Sequence, residues 1–200
     1  MTGKPERIKE LTAWLEADDA KGRGRRVLRL RDLLNTMPVS SDGLTLLGGE
    51  TSQICFDEVR RCYMDGSYVA VVLLSLAFVE RELAAVLYAA GWEAAKKAPM
   101  GEVLRKAHQD GCLSNLEWRT YQELARLRNS HAHFRRPASS DSMMARMVEE
   151  NASPREVLAQ DAKRALRAMA RIVRRQSGMR VTLGPPNDQL DGSPLPGTVP

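Results

Sequence analysis

Tyr68–Ala90 reads YVAVVLLSLAFVERELAAVLYAA, with neither proline nor glycine inside it. Up to Glu80 the run is apolar on nearly every side. A helix of that kind has neighbours all round, so it belongs at the centre of a bundle. A β-strand starting at Val69–Val72 fits less well, because six helical turns follow without a breaker. Gly91 suits the position just past the helix end, and Asp65-Gly66-Ser67 makes a turn that stops one helix and caps the next. The apolar core of the stretch, Tyr68–Val79, is shorter than the ~20 residues that cross a bilayer. It is therefore read as a buried helix, with no membrane partner.

Outward from this centre the chain punctuates itself as helices. Upstream, Thr51 or Ser52 can cap a helix running to about Met64. Downstream, Trp92–Lys97 is a connector, and Met100–Gln109 is a short helix stopped by Gly111. Ser114 with Glu117, and Ser153 with Glu156, are capping boxes; Pro154 adds the favoured first-turn proline to the second. The Ser114 helix carries Leu116, Tyr121, Leu124, Ala125 and Leu127 at helical spacing and should end by about Arg136, before Pro137. Pro137–Asp141 is read as a loop and Ser142–Glu150 as a short helix. A last helix runs to about Gln176 with Leu158, Ala162, Leu166, Met169 and Val173 facing inward. The fold class expected is all-α, an antiparallel up-down bundle of four to five core helices.

The ends look different. Residues 5–17 are expected to form an amphipathic helix with Ile8, Leu11, Trp14 and Leu15 on one side. Lys21–Arg31, KGRGRRVLRLR, is expected to be a basic solvated loop leading to a short helix, and Met37–Glu50, with three glycines, a linker. Residues 178–200 are rich in proline and glycine and are expected to be disordered. The division is then 1–49 as an N-terminal helical extension, 50–176 as the bundle and 177–200 as a tail. No apolar leader follows the charged Lys4–Lys9 segment, and three cysteines show no framework spacing, which together suggest reduced thiols in a cytoplasm. A net charge of +5 and a pI near 9.3 permit a polyanionic partner without requiring one.

Chemistry concentrates in Ser114–Pro137, SNLEWRTYQELARLRNSHAHFRRP. Arg128, Asn129, His131 and His133 fall within six residues, flanked by Arg126, Arg135 and Arg136. A guanidinium meets phosphoryl charge through two parallel hydrogen bonds, and an imidazole exchanges protons near neutral pH. Were the substrate RNA, Arg128 and His133 would be a minimal kit for metal-free cleavage: one proton leaves the 2′-hydroxyl, another reaches the 5′-oxygen, and the guanidinium holds the phosphate. Five residues apart on a helix, they point about 140° apart. His131, three residues from Arg128, is closer in angle and is the second candidate. Blander readings exist for each. Arg128 can pair with a carboxylate across the bundle, Glu80 being the candidate, and a histidine near a helix C-terminus suits the dipole without any reaction. His108, Cys112, His131 and His133 match no closed zinc pattern, so neither metal nor cofactor is expected.

The Arg128-Asn129-x3-His133 segment resembles the Arg-x4–6-His motif of HEPN domains. Asp57–Leu83, DEVRRCYMDGSYVAVVLLSLAFVEREL, is similar to that family's opening helix, glycine-containing turn and long apolar second helix, and the likeness extends over roughly 50–176. The resemblance implies a metal-independent endoribonuclease that leaves 2′,3′-cyclic phosphate ends. It also implies a homodimer sharing one composite site, and a toxin or defence role with an antitoxin or other protein partner. Glu80 would then support the site from behind, and Arg126, Arg135 and Arg136 would hold RNA. Some family members carry a modifiable tyrosine two residues after the motif histidine; here Arg135 stands there, so that regulation is not expected. The alternative is a non-catalytic binding or scaffold module on the same fold.

Overall fold

The computed structural model describes residues 4–37, 46–132, 139 and 142–178. Those residues form an all-helical bundle: α1 (Lys4–Thr36), α2 (Glu50–Asp65), α3 (Tyr68–Ala89), a 3-10 turn (Glu93–Lys96), α4 (Met100–Gln109), α5 (Asn115–Ala132), α6 (Met143–Glu150) and α7 (Pro154–Gly178). The expected tail, the loop after Pro137 and most of the expected linker lie outside the described residues. No described helix is long and apolar enough to cross a membrane.

The long apolar stretch is the hub. α3 packs against α2, α4, α5, α7 and the 3-10 turn. Val71, Val72, Leu76, Phe78, Val79 and Leu87 have no exposed surface. Gly66 lies in the left-handed region at φ 80°, and its N–H and that of Ser67 close the last carbonyls of α2. Only a residue without Cβ takes that conformation cheaply, which is why α2 and α3 can fold back on each other across two residues. Phe56, Val59 and Tyr63 of α2 and Leu166, Met169 and Val173 of α7 complete the layers around α3.

Both capping boxes form. The backbone N–H of Ser114 donates to Glu117 (2.9 Å), and that of Ser153 donates to Glu156 (2.8 Å). Ser142 caps α6 by accepting from the Ala145 N–H. The inward stripe of α7 is as expected at Ala162, Leu166, Met169 and Val173 and differs at its start. Val157 is fully buried and Leu158 only partly so, with Asp161, Ala165 and Ala168 continuing the face. α2 begins at Glu50 with Gly49 at its N-cap position, two residues before Thr51, and Ser52 is buried inside it rather than capping it.

The N-terminal region requires a correction. The expected helix, loop and short helix are one continuous α1 of 33 residues. The basic Lys21–Arg31 segment reads as a solvated loop, yet Gly22 and Gly24 each cost only about 1 kcal/mol in a helix, and the arginines and leucines around them are good helix formers. Arg26 is tied to Asp19 at 3.0 Å within the helix. Arg29 donates to the Met64 carbonyl at 2.6 Å, and Leu33 and Met37 are buried in the core. The C-terminal half of α1 is thus part of the bundle. Its N-terminal half is exposed along its length, Ile8, Leu11, Trp14 and Leu15 included.

Candidate functional site

α5 delivers the motif to the end of the bundle. Tyr121 and Leu124 anchor it in the core, and the Tyr121 hydroxyl donates to the Ala168 carbonyl at 3.2 Å. Four residues after Leu124, Arg128 comes to the same side of the helix, facing α3. Its Nη1 lies 3.5 Å from Glu80 Oε2. Both partners keep about a third of their side-chain surface in solvent. Burial raises the Glu80 pKa, and the Arg128 charge works in the opposite direction. The pair is therefore open at its rim, and an anion can compete with the Glu80 carboxylate for the guanidinium.

His131 is placed quite differently. Its Nε2 lies 3.2 Å from Asp161 Oδ2 on α7, with 6% of the side chain exposed. Arg146 of α6 grips the same carboxylate with two bonds of 2.6 and 2.8 Å and also reaches Glu150 at 3.0 Å. Burial works to raise the Asp161 pKa, but the hydrogen bonds and charges of His131 and Arg146 outweigh it, and the net direction is down. Asp161 is therefore a carboxylate, and Nε2 of His131 carries the hydrogen between them. Asp161 itself is fully buried. The triad pins α5, α6 and α7 together.

Arg128 and His131 are thus on one turn of α5 but face separate carboxylates on separate helices. Asn129 is half-buried beside them. His133, Arg135 and Arg136 lie outside the described residues. Arg126 is exposed and borders an open groove of about 480 Å³ between α5, α6 and α7, together with Thr120, Ser130 and Arg164. The third histidine, His108, stacks on Trp118 at 5.2 Å and meets Asn115 at 2.8 Å, joining α4 to α5. Among the described residues, no cluster of three or more His, Cys, Asp or Glu side chains is placed to hold a metal ion.

Two buried acids escaped the sequence reading. Glu82 accepts the backbone N–H groups of Leu47 and Gly48, each at 3.0 Å, and the Gln176 side-chain amide. It fastens the segment before α2 and the end of α7 to the central helix. Asp161 does the equivalent for α5 and α6. The available signal was register. Glu82 continues the buried positions Ser75 and Val79, and Asp161 stands four residues after Val157 and four before Ala165. An acid on the inward stripe of a helix needs a partner. Compared against protein-family models, curated proteins and solved structures, the chain finds no match.

Proposed function

We propose that this bundle is a HEPN-type, metal-independent endoribonuclease whose site is the C-terminal end of α5. The observation that carries the reading is the state of Arg128: a guanidinium about one-third exposed, held at 3.5 Å by one atom of one partly exposed carboxylate. A phosphate offers two acceptor oxygens in the geometry that the guanidinium fork prefers, so it competes well with that single contact. Arg126, on the groove side of the same helix, adds a second cation for the RNA backbone.

In this reading His133 moves the proton. His131 is already committed to Asp161 and lacks an open face. His133 takes the proton from the 2′-hydroxyl or gives one to the 5′-oxygen, Arg128 meets the charge growing on phosphorus, and Asn129 orients the turn. Glu80 keeps Arg128 extended until substrate arrives. A cleft formed by the α5 ends of two copies would supply both proton transfers from two imidazoles.

The second reading, a non-catalytic module, is favoured by one specific fact. Arg128 and His131 each have a carboxylate on another helix, which is what packing alone would require. One experiment separates the two. Purified protein is incubated with mixed RNA in EDTA beside Arg128→Ala and His133→Ala variants. Cleavage to cyclic-phosphate ends that both variants lose supports the nuclease. Cleavage unchanged in both variants removes the site, and RNA binding without any cleavage supports the module.

A further inference from the structure

The N-terminal half of α1 has no partner in the bundle. Ile8, Leu11, Trp14 and Leu15 are 62%, 56%, 64% and 57% exposed. They are not scattered. In the half of α1 that packs on the bundle, the shielded positions are Gly22, Arg26, Arg29, Asp32, Leu33 and Thr36, with Met37 just past the helix end. Leu15, Leu11 and Ile8 precede Gly22 by steps of seven, four and three residues, so they extend the same stripe beyond the point where the bundle ends. The free part projects by about 25 Å at 1.5 Å per residue. A lone helix of that length is marginal in water, and a contiguous apolar stripe on one marks a contact surface.

Charge selects the occupant. Residues 4–20 carry Glu6, Glu10, Glu16, Asp18 and Asp19 against Lys4, Arg7 and Lys9. The polar side of this part of the helix is mixed in sign, whereas helices that lie on membranes carry a uniformly basic polar face. The charges are also ordered: Lys4, Arg7 and Lys9 precede Leu11 with Glu6 and Glu10 among them, whereas Glu16, Asp18 and Asp19 follow it with no cation before Lys21. Two such helices side by side in parallel would stack like on like. Turned antiparallel, they place the basic end of each against the acidic end of the other.

We propose that the overhanging half of α1 pairs antiparallel with the same segment of a second copy of this chain. With the twofold axis passing between Leu11 and Thr12, Ile8 lies level with the second copy's Leu15, and Arg7 with its Glu16. The contact is self-complementary, as an isologous interface must be. The two bundles are then held at opposite ends of the helix pair, their first packed turns about 30 Å apart along the axis. Both α5 ends stay uncovered, so this pairing neither makes nor needs a shared RNA cleft and does not rest on the nuclease reading.

The test is the mass of the full chain in solution by sedimentation at graded concentration. Wild type should sediment at twice its 22.3 kDa. Leu11→Asp should fall to the single-chain mass, or raise the dissociation constant by at least about tenfold. The site is exposed in the monomer, so its circular dichroism and melting should keep the bundle's signature. Arg7→Glu and Glu16→Arg alone should each weaken the dimer, and the double swap should restore it. A wild type that stays monomeric at the highest soluble concentration overturns the proposal, as does a dimer indifferent to Leu11→Asp. A double swap weaker than both single variants overturns the antiparallel register.

Discussion

His131 on α5 and Asp161 on α7 meet at 3.2 Å, and the guanidinium of Arg146 from α6 closes on both oxygens of the same carboxylate. One fully buried acid therefore serves three helices. Asp161→Asn removes the negative charge and leaves Arg146, 11% exposed, with Glu150 as the carboxylate that still faces it. The expected loss is about 3–5 kcal/mol, a large share of a domain's total stability. His131→Ala should lose less, about 1.5–3 kcal/mol, the range for a hydrogen bond to a charged group. Urea unfolding measures both. If His131→Ala abolished RNA cleavage while unfolding like wild type, the packing assignment would fail and His131 would return as the proton carrier.

The acid side of the stability profile should contain two opposite contributions. Asp161 has its pKa lowered in the folded state despite burial. Its stabilisation is complete above the unfolded value near 3.9 and disappears as pH falls through the lower folded value. Glu80 has its pKa raised, chiefly by burial, with Arg128 opposing. Its contribution is complete below the ordinary glutamate range of about 4.3 and is lost as pH rises through the folded value. The gap between wild type and Asp161→Asn should thus close below about pH 4. Arg128→Ala should push the Glu80 carboxyl further up in an NMR titration, yet change stability by less than about 1 kcal/mol, as a half-exposed ion pair allows. A downward move of the Glu80 titration would contradict the pairing.

What could be read beforehand followed the range of the interaction. α4, α5, α6 and α7 were legible because their signals are local: capping serines, glutamates three residues on, and glycines beyond the ends. α3 was legible because an unbroken apolar run has one economical home. Glu80 was a readable partner for Arg128 because one ends the apolar run of the central helix and the other follows Leu124 onto the inner side of α5. The unity of α1 was missed because the dense charge of Lys21–Arg31 looks like a solvated segment, whereas what holds the helix on the bundle is Arg29 reaching the Met64 carbonyl and Leu33 entering the core. Glu82 and Asp161 were missed for the same reason. Their partners lie 34 or 35 and 30 residues away in Leu47, Gly48 and His131, and no local pattern records such a contact.

The Glu82 anchor should be sensitive to a single methyl group. A Cβ on Gly48 would fall 2.6 Å from Glu82 Oε1 and also collide with the Ser52 hydroxyl. Both neighbours are fully buried, so neither can swing into solvent. Gly48→Ala should cost about 1–3 kcal/mol through overpacking. Glu82→Gln turns one acceptor oxygen into a donor facing backbone N–H groups, and the loss should be of similar size, about 1–3 kcal/mol. Amide exchange at Leu47 and Gly48 reports directly: both variants should exchange faster there than wild type. Unchanged protection in Glu82→Gln would show that the two amides do not depend on this carboxylate.

The two capping boxes provide a matched comparison. Each serine accepts from the backbone N–H three residues on, and each glutamate accepts in return, so either serine to alanine removes a cap of about 1 kcal/mol. Beyond that the boxes differ. Glu156 is exposed and bonds only Ser153 among the contacts described for it, whereas Glu117 also holds Arg175 at 2.7 and 2.8 Å, and Arg175 in turn donates to the Cys112 carbonyl. Burial works to raise the Glu117 pKa, but Ser114 and Arg175 together bring it down. The same residue therefore starts α5 and fastens it to α7. Glu117→Ala should cost about 2–4 kcal/mol, a cap plus a charged hydrogen bond, and Glu156→Ala distinctly less. With its pKa lowered on folding, Glu117 stabilises fully above about pH 4.3 and loses that effect as pH falls through the folded value, so the difference between the two variants should shrink in acid. Thermal melts of both at neutral and acid pH decide it. Equal losses at neutral pH would mean that the Arg175 bridge contributes nothing and that α5 is held by its cap and its apolar face alone.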